Sequence, residues 1–359
     1  MQVAKLIGAP GTGKTHELLT ILTRALERDV RDPYAAGFVS FTRAARREAA
    51  GRAADIFGVA PQSLERNGWF RTLHSCCYQL LGVQPGELLS DNAESRKWLA
   101  DLFGRPIPLP SAEGDLPDPW GEESDEAKAL AIWDLARNKI VTLTEAWGEA
   151  RTCNVTPGLT YCREIIRKYE AAKKRDGRLD FTDLMCRYVG LVHEIDDAHA
   201  VSDKGPVPNV PIWILDEAQD CSELMRIVFQ RLTSRAKWVY LGGDPFQSIY
   251  GFAGADPYQF LNFPADKTRT MPQSWRCPAK VLELGESVIA RNAEYFDRKV
   301  KPAAHEGDVV RRGLHGGSFD GIDPHTQWLV LARTHFQVNF LASRLNDHGL
   351  PWAPLRWAA

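Results

Sequence analysis

The 359-residue sequence predicts an α/β protein: a doubly wound core of short parallel strands, interrupted by a long, mainly helical insertion. Three observations predict it. Short apolar runs at residues 3–7, 37–42, 212–215 and 238–241 read as strands buried on both faces. A glycine-rich loop, residues 8–15, joins the first run to a segment with helical spacing. Between residues 76 and 205 the apolar pattern is mostly that of helices.

In chain order, the strand at 3–7 ends at the loop, after which Leu18, Leu19, Leu22 and Leu26 recur at helical spacing. The strand at 37–42 precedes a basic helix beginning near Ala44. The insertion, 76–205, contains an irregular stretch rich in Pro, Gly and acid at 104–124. Helical spacing returns over 127–146 and at Tyr161, Ile165, Ile166 and Tyr169. A polar loop, 196–211, leads back to the core strands at 212–215 and 238–241. Beyond about Thr270 a new unit is expected, with a helix over 279–291 and a strand at 328–332, before the sequence ends at Ala359.

Composition narrows the function classes. Apolar content of 44% and charged content of 25% are ordinary for a globular protein of two or three compact units. The net charge of −2 argues against a histone-like basic coat, though not against a local nucleic-acid groove. No apolar run reaches the roughly 18 residues of a membrane helix, and the N-terminus runs straight into a strand, so neither membrane nor signal peptide is expected. Seven scattered cysteines without a CxxC pair suggest reduced thiols in a cytoplasmic protein.

GAPGTGKT fits G-x-x-x-x-G-K-[ST] between a strand and a helix. Gly8, Gly11 and Gly13, with Ala9, Pro10 and Thr12 between them, let backbone N–H groups close around phosphate oxygens. Lys14 would reach the β- and γ-phosphates of ATP and Thr15 would ligate Mg2+. Some 200 residues on, ILDEAQD places Asp216 and Glu217 at the end of an apolar strand. Asp216 is the expected Mg2+ partner and Glu217 the general base for the attacking water.

With these motifs, GGDPFQSIYGFAGAD (242–256), QSWRCP (273–278), SFTRAARREAAGR (40–52), TLHSCC (72–77) and GRLDFTDL (177–184) stand in an order that resembles the superfamily 1 helicases of the UvrD, Rep and PcrA type. The resemblance spans nearly the whole sequence. It implies a P-loop NTPase with a RecA-like parallel sheet: a first motor domain at 1–75 plus 206–270, the helical insertion at 76–205, and an incomplete second RecA-like lobe at 271–359.

The resemblance also implies roles. Gln247 is similar to a glutamine that senses the γ-phosphate, and Gln219 to one beside the water-activating pair. Arg276 resembles an arginine that grips the γ-phosphate, a task suited to a fixed bidentate cation. Trp275 takes the place of an aromatic that stacks on adenine. Phe252 aligns with a base-stacking aromatic, with Tyr250 two residues before it in apparent strand alternation. Thr42, His74 and Ser75 resemble contacts to the DNA backbone. Arg43 and Arg47 share a helix face by spacing, with Arg46 nearby, as phosphate contacts or as a solvated face.

Three departures accompany the match. No room precedes the loop for the family's adenine-reading glutamine. Ala253 replaces a usual arginine, and Leu73 a common aromatic. The later motifs, including one with a second γ-phosphate arginine, are absent after GLPW at 349–352. The expectation is an ATP-dependent translocase or helicase on single-stranded DNA or DNA junctions, of the kind used in replication and repair. The alternative is a nucleotide-dependent DNA-binding module or split helicase subunit, a second polypeptide supplying the missing motifs. Nothing resembles a kinase acceptor site or a nuclease cluster.

Overall fold

The computed structural model describes residues 1–41, 43–108, 124–153, 157–292, 294–310, 328–332 and 335–353. Among them are β1 (Gln2–Gly8), β2 (Ala36–Val39), β3 (Trp69–Arg71), β4 (Leu191–Glu194), β5 (Asp197–Ala200), β6 (Ile212–Leu215), β7 (Trp238–Gly243) and β8 (Lys267–Met271). Six strands form one sheet in the order β3-β2-β6-β7-β1-β8, with every neighbouring pair parallel. β4 and β5 form a separate antiparallel hairpin.

Alternation along the strands feeds two cores. Val3, Ile7, Val39, Trp213, Leu215, Val239 and Leu241 face one side. Helices Leu73–Leu81, Phe181–Val189 and Glu223–Leu232 add side chains to that core. Leu6, Phe38, Ile212 and Ile214 face the other side, against helices Lys14–Ala25 and Arg43–Phe57. Each fully buried apolar side chain is worth about 1.5–3 kcal/mol, so four-residue strands hold once both faces are covered. Gly37 sits in register with Trp213, and a Cβ on it would fall 2.2 Å from the indole. The sheet closes there because residue 37 has no side chain.

Several elements differ from the sequence expectation. The helical stretch expected over 127–146 is two helices, Asp125–Lys139 and Leu143–Cys153. Ile140 between them is left-handed at φ 55°. Thr142 restarts the chain, accepting from Glu145 N while Glu145 accepts from Thr142 N, a reciprocal cap. The expected polar loop 196–211 begins as the second strand of the hairpin. Residues 328–332 form no strand. Most of the expected irregular stretch 104–124 lies outside the described residues.

Residues described up to Asp308 pack as one compact unit and those after it as another. Residues 271–308, expected from the sequence to open a second lobe, therefore pack in the unit that holds the sheet. In the other unit, Trp352 Nε1 donates to Asn346 Oδ1 of helix His335–Asp347 at 2.8 Å.

Candidate nucleotide-binding site and nucleic-acid face

The loop after β1 turns on Gly11 and Gly13, whose φ angles of 72° and 82° favour glycine. Gly13 is the residue before helix Lys14–Ala25, so that helix presents unpaired N–H groups beside the loop. Thr12 Oγ1 donates to Ala9 O at 2.8 Å and tightens the turn. The Lys14 ammonium folds back and donates to Gly8 O at 2.9 Å. Pro10 and Gly11 supply carbonyls to another segment: Ser274 Oγ donates to Pro10 O and Trp275 N to Gly11 O, both at 2.8 Å.

Thr15 Oγ1 donates to Asp216 Oδ2 at 2.7 Å, across 201 residues. Asp216 follows β6, is 1% exposed, and its N–H reaches Val39 O of the neighbouring strand. Burial, then the adjacent Glu217, push the Asp216 carboxyl up to about 6, against the Thr15 hydrogen bond and Lys14. A hydroxyl and a carboxylate held together are the hard oxygen donors that Mg2+ takes, so this pair fits the ion.

Glu217 is left-handed at φ 56°, a conformation that costs a non-glycine residue on the order of 1–3 kcal/mol. Gln219, 2% exposed, holds it: Nε2 donates to Glu217 Oε2 at 3.0 Å and to Asp220 Oδ2 at 3.2 Å. Burial and then Glu217 push Asp220 up to about 7. Gln219 Oε1 accepts from Asp244 N at 2.9 Å, which ties the acidic loop to the end of β7.

Asp244 is fully buried and accepts Gln247 Nε2 at 2.6 Å and Phe246 N at 3.2 Å. Gln247 thus stands on the same polar chain as Gln219 and Glu217. Arg276 is exposed, with its backbone against Gly11: a Cβ on that glycine would meet Arg276 Cβ at 2.3 Å. Trp275 is 74% exposed, a bare aromatic face beside the loop. Glycine loop, Asp216–Glu217, Gln219, Gln247, Trp275 and Arg276 therefore lie in one compact unit.

The residues expected from the sequence to contact nucleic acid stand on different elements. Tyr250 and Phe252 do not alternate on a strand as expected. Residues Gly251–Ala253 form a 3-10 turn, with ring centroids 6.2 Å apart and both residues half-buried. The turn is braced from behind: Ser222 pairs with Ala255, and Ser222 Oγ donates to Asn138 Oδ1 at 3.0 Å. His74 packs edge-on against Phe181, and burial lowers its pKa to about 4. It therefore brings no positive charge to a phosphate. Ser75 accepts from Arg71 Nη1 at 3.0 Å. Thr42 and the Arg43 side chain lie outside the described residues, and Arg47 is exposed on the same helix.

Six described cysteines are free thiols, five of them buried. Glu170, Asp180 and Asp183 bring carboxylate oxygens close together. Lys173 already fills that position, with Nζ 2.7–2.9 Å from all three.

Arg298, which forms a buried ion pair with Asp244, carries no sequence signal. It stands in none of the motifs, and its partner lies 54 residues earlier, so no local signal marks it.

The family model for the UvrD/REP helicase N-terminal domain matches residues 2–268. The ATP-dependent DNA helicase PcrA of Staphylococcus epidermidis is 23% identical over 318 residues. The protein of that name from Staphylococcus aureus is 23% identical over 317. Each alignment covers 85% of this chain, and the chain spans 40% of the length of these relatives. With the family model matching well over half of its residues, the chain belongs to the UvrD/REP helicase family.

Proposed function

We propose that the chain binds Mg·ATP and couples it to single-stranded DNA, as the nucleotide-handling part of an ATP-dependent translocase or helicase. The observation that carries this reading is the 2.7 Å contact of Thr15 with Asp216, formed beside the Lys14 loop. Thr15 and Asp216 would hold Mg2+, which when bound neutralises phosphate charge. Lys14 exchanges the Gly8 carbonyl for phosphate oxygens. Glu217, held by Gln219, orients water and accepts its proton. Gln247 senses the γ-phosphate, and Arg276 supplies positive charge next to the loop. Trp275 offers a face for adenine. Tyr250 and Phe252 offer a stacking platform, worth roughly 1–3 kcal/mol per base without sequence preference.

Relatives named as ATP-dependent DNA helicases support the same assignment. Replication or repair of DNA junctions in the cytoplasm is the setting it implies. Among the described residues no helix is long and apolar enough to cross a membrane.

One observation favours a second reading. Helix Ala279–Ile289 buries none of its residues, and Val288 is 56% exposed. In that reading the chain is a nucleotide-dependent DNA-binding module or split subunit, ATP acts as a switch, and a second polypeptide supplies the remaining motor.

Titration of the chain with a fluorescent ATP analogue, with and without Mg2+, followed by turnover assays with single-stranded DNA, tests both readings. We expect Mg2+-dependent binding with weak hydrolysis. Absence of nucleotide binding overturns both readings, and robust DNA-stimulated turnover overturns the second.

A further inference from the structure

Arg298 is the least expected charge near the site. Its side chain is 3% exposed, although no motif contains it. Nη1 lies 2.6 Å from both oxygens of Asp244, and Nη2 donates to Glu286 Oε1. The guanidinium carbon stands 5.0 Å from the centroid of the Phe246 ring, which Tyr295 and Phe296 flank. Tyr295 donates to the other oxygen of Glu286 at 3.0 Å.

Asp244 is the hub of this arrangement. Its carboxylate takes Arg298, the Gln247 amide and the Phe246 N–H, while its own N–H goes to Gln219. A fully buried carboxylate keeps its charge only with a partner, and among the described residues Arg298 is its ion-pair partner. A swing of the carboxylate would release the Gln247 amide altogether. The direction of that amide is therefore set by a residue in the segment after helix Ala279–Ile289.

We infer that Arg298 is a positioning residue for Gln247, acting through Asp244 to aim the amide that distinguishes ATP from ADP. The inference rests on the γ-phosphate role given to Gln247 above. A purely structural buried pair would lower stability and leave nucleotide preference alone. A positioning pair changes the preference itself. Lysine retains the charge but lacks the fork that spans Asp244 and Glu286.

The test measures affinities of the full chain for ADP and for a non-hydrolysable ATP analogue, both with Mg2+, in four proteins: wild type, Gln247→Ala, Arg298→Lys and Glu286→Gln. We expect the ATP-analogue-to-ADP preference to fall about tenfold in Gln247→Ala and Arg298→Lys, the worth of one hydrogen bond to a charged group. ADP affinity should hold in each, and Glu286→Gln should shift the preference in the same direction but less. An unchanged preference in Arg298→Lys, with a reduced one in Gln247→Ala, overturns the inference alone. An unchanged preference in Gln247→Ala overturns it together with the sensor reading beneath it. Should Arg298→Lys fail to fold by thermal melting, Glu286→Gln decides, and an unchanged preference there overturns the inference.

Discussion

Arg137 grips Asp180 with both ends of its fork, Nη1 to Oδ1 at 3.0 Å and Nη2 to Oδ2 at 2.8 Å, across 43 residues. The pair is the centre of a buried network. Lys173 Nζ reaches Asp180 and Asp183 at 2.8 and 2.7 Å, and Asp180 and Asp183 cap the helix Phe181–Val189 reciprocally. Burial opposes the charge on Asp180, but Arg137 and Lys173 outweigh it and hold that carboxyl well below its usual range. Burial and then Asp180 push Asp183 up to about 6.

Breaking this network is expected to be costly. Arg137→Met leaves buried Asp180 and Asp183 to share Lys173 as their remaining cation, a loss on the order of 3 kcal/mol. Urea unfolding should show a lower midpoint with an unchanged slope. A loss below about 1 kcal/mol would mean that the network is not energetically closed.

Among the described residues the Lys14 side chain makes one hydrogen bond, to Gly8 O, so its removal should spare the fold. Lys14→Ala is expected to weaken ATP binding on the order of 100-fold, the upper range for a bond between charged groups. Calorimetric titration measures it, and unchanged affinity would show that the loop is not the site.

His74 gives stability an acid limb. Its pKa is lowered to about 4 in the folded chain, against about 6.5 when unfolded. Between those values the unfolded state binds the extra proton, so stability is present above pH 6.5 and is lost as pH falls toward 4. For this half-buried ring the loss should be roughly 2 kcal/mol. Unfolding curves at pH 7 and pH 4.5 should differ less in His74→Leu than in wild type. Equal differences in the two proteins would remove His74 as the cause.

Gly254 is left-handed at φ 90°, and a Cβ there would lie 3.0 Å from Asn138 Cβ. Gly254→Ala should cost about 1–3 kcal/mol through backbone strain and this contact. Gly251, three residues earlier, has open space around it and serves as the control. Its alanine variant should stay within about 0.5 kcal/mol of wild type. If the two variants melt alike, Asn138 does not brace the turn.

The glycine turn after β1, β6 and the helix after that turn were legible because each carries its signal within a short window. The apolar run of residues 212–215 coincides with β6. β3 escaped because three residues are too few for a pattern, and β8 because KTRTM, at the sheet edge, is mostly polar. The hairpin β4–β5 was hidden by exposed charged positions that read as loop. In the site, Glu217 and Gln219 are neighbours in sequence and could be read together. Asp244 and Arg298 are not, and a bond between distant residues leaves no mark on the spacing of either.

Gly11 touches the segment that carries Arg276 in two ways: its carbonyl accepts from Trp275 N, and its missing side chain admits Arg276 Cβ. The cradle and the cation thus share one reference frame. The position of the Arg276 backbone against the loop is thus set by an atom that residue 11 does not have. A methyl group placed there would act as a shim, displacing the backbone of residue 276 without changing any charged residue.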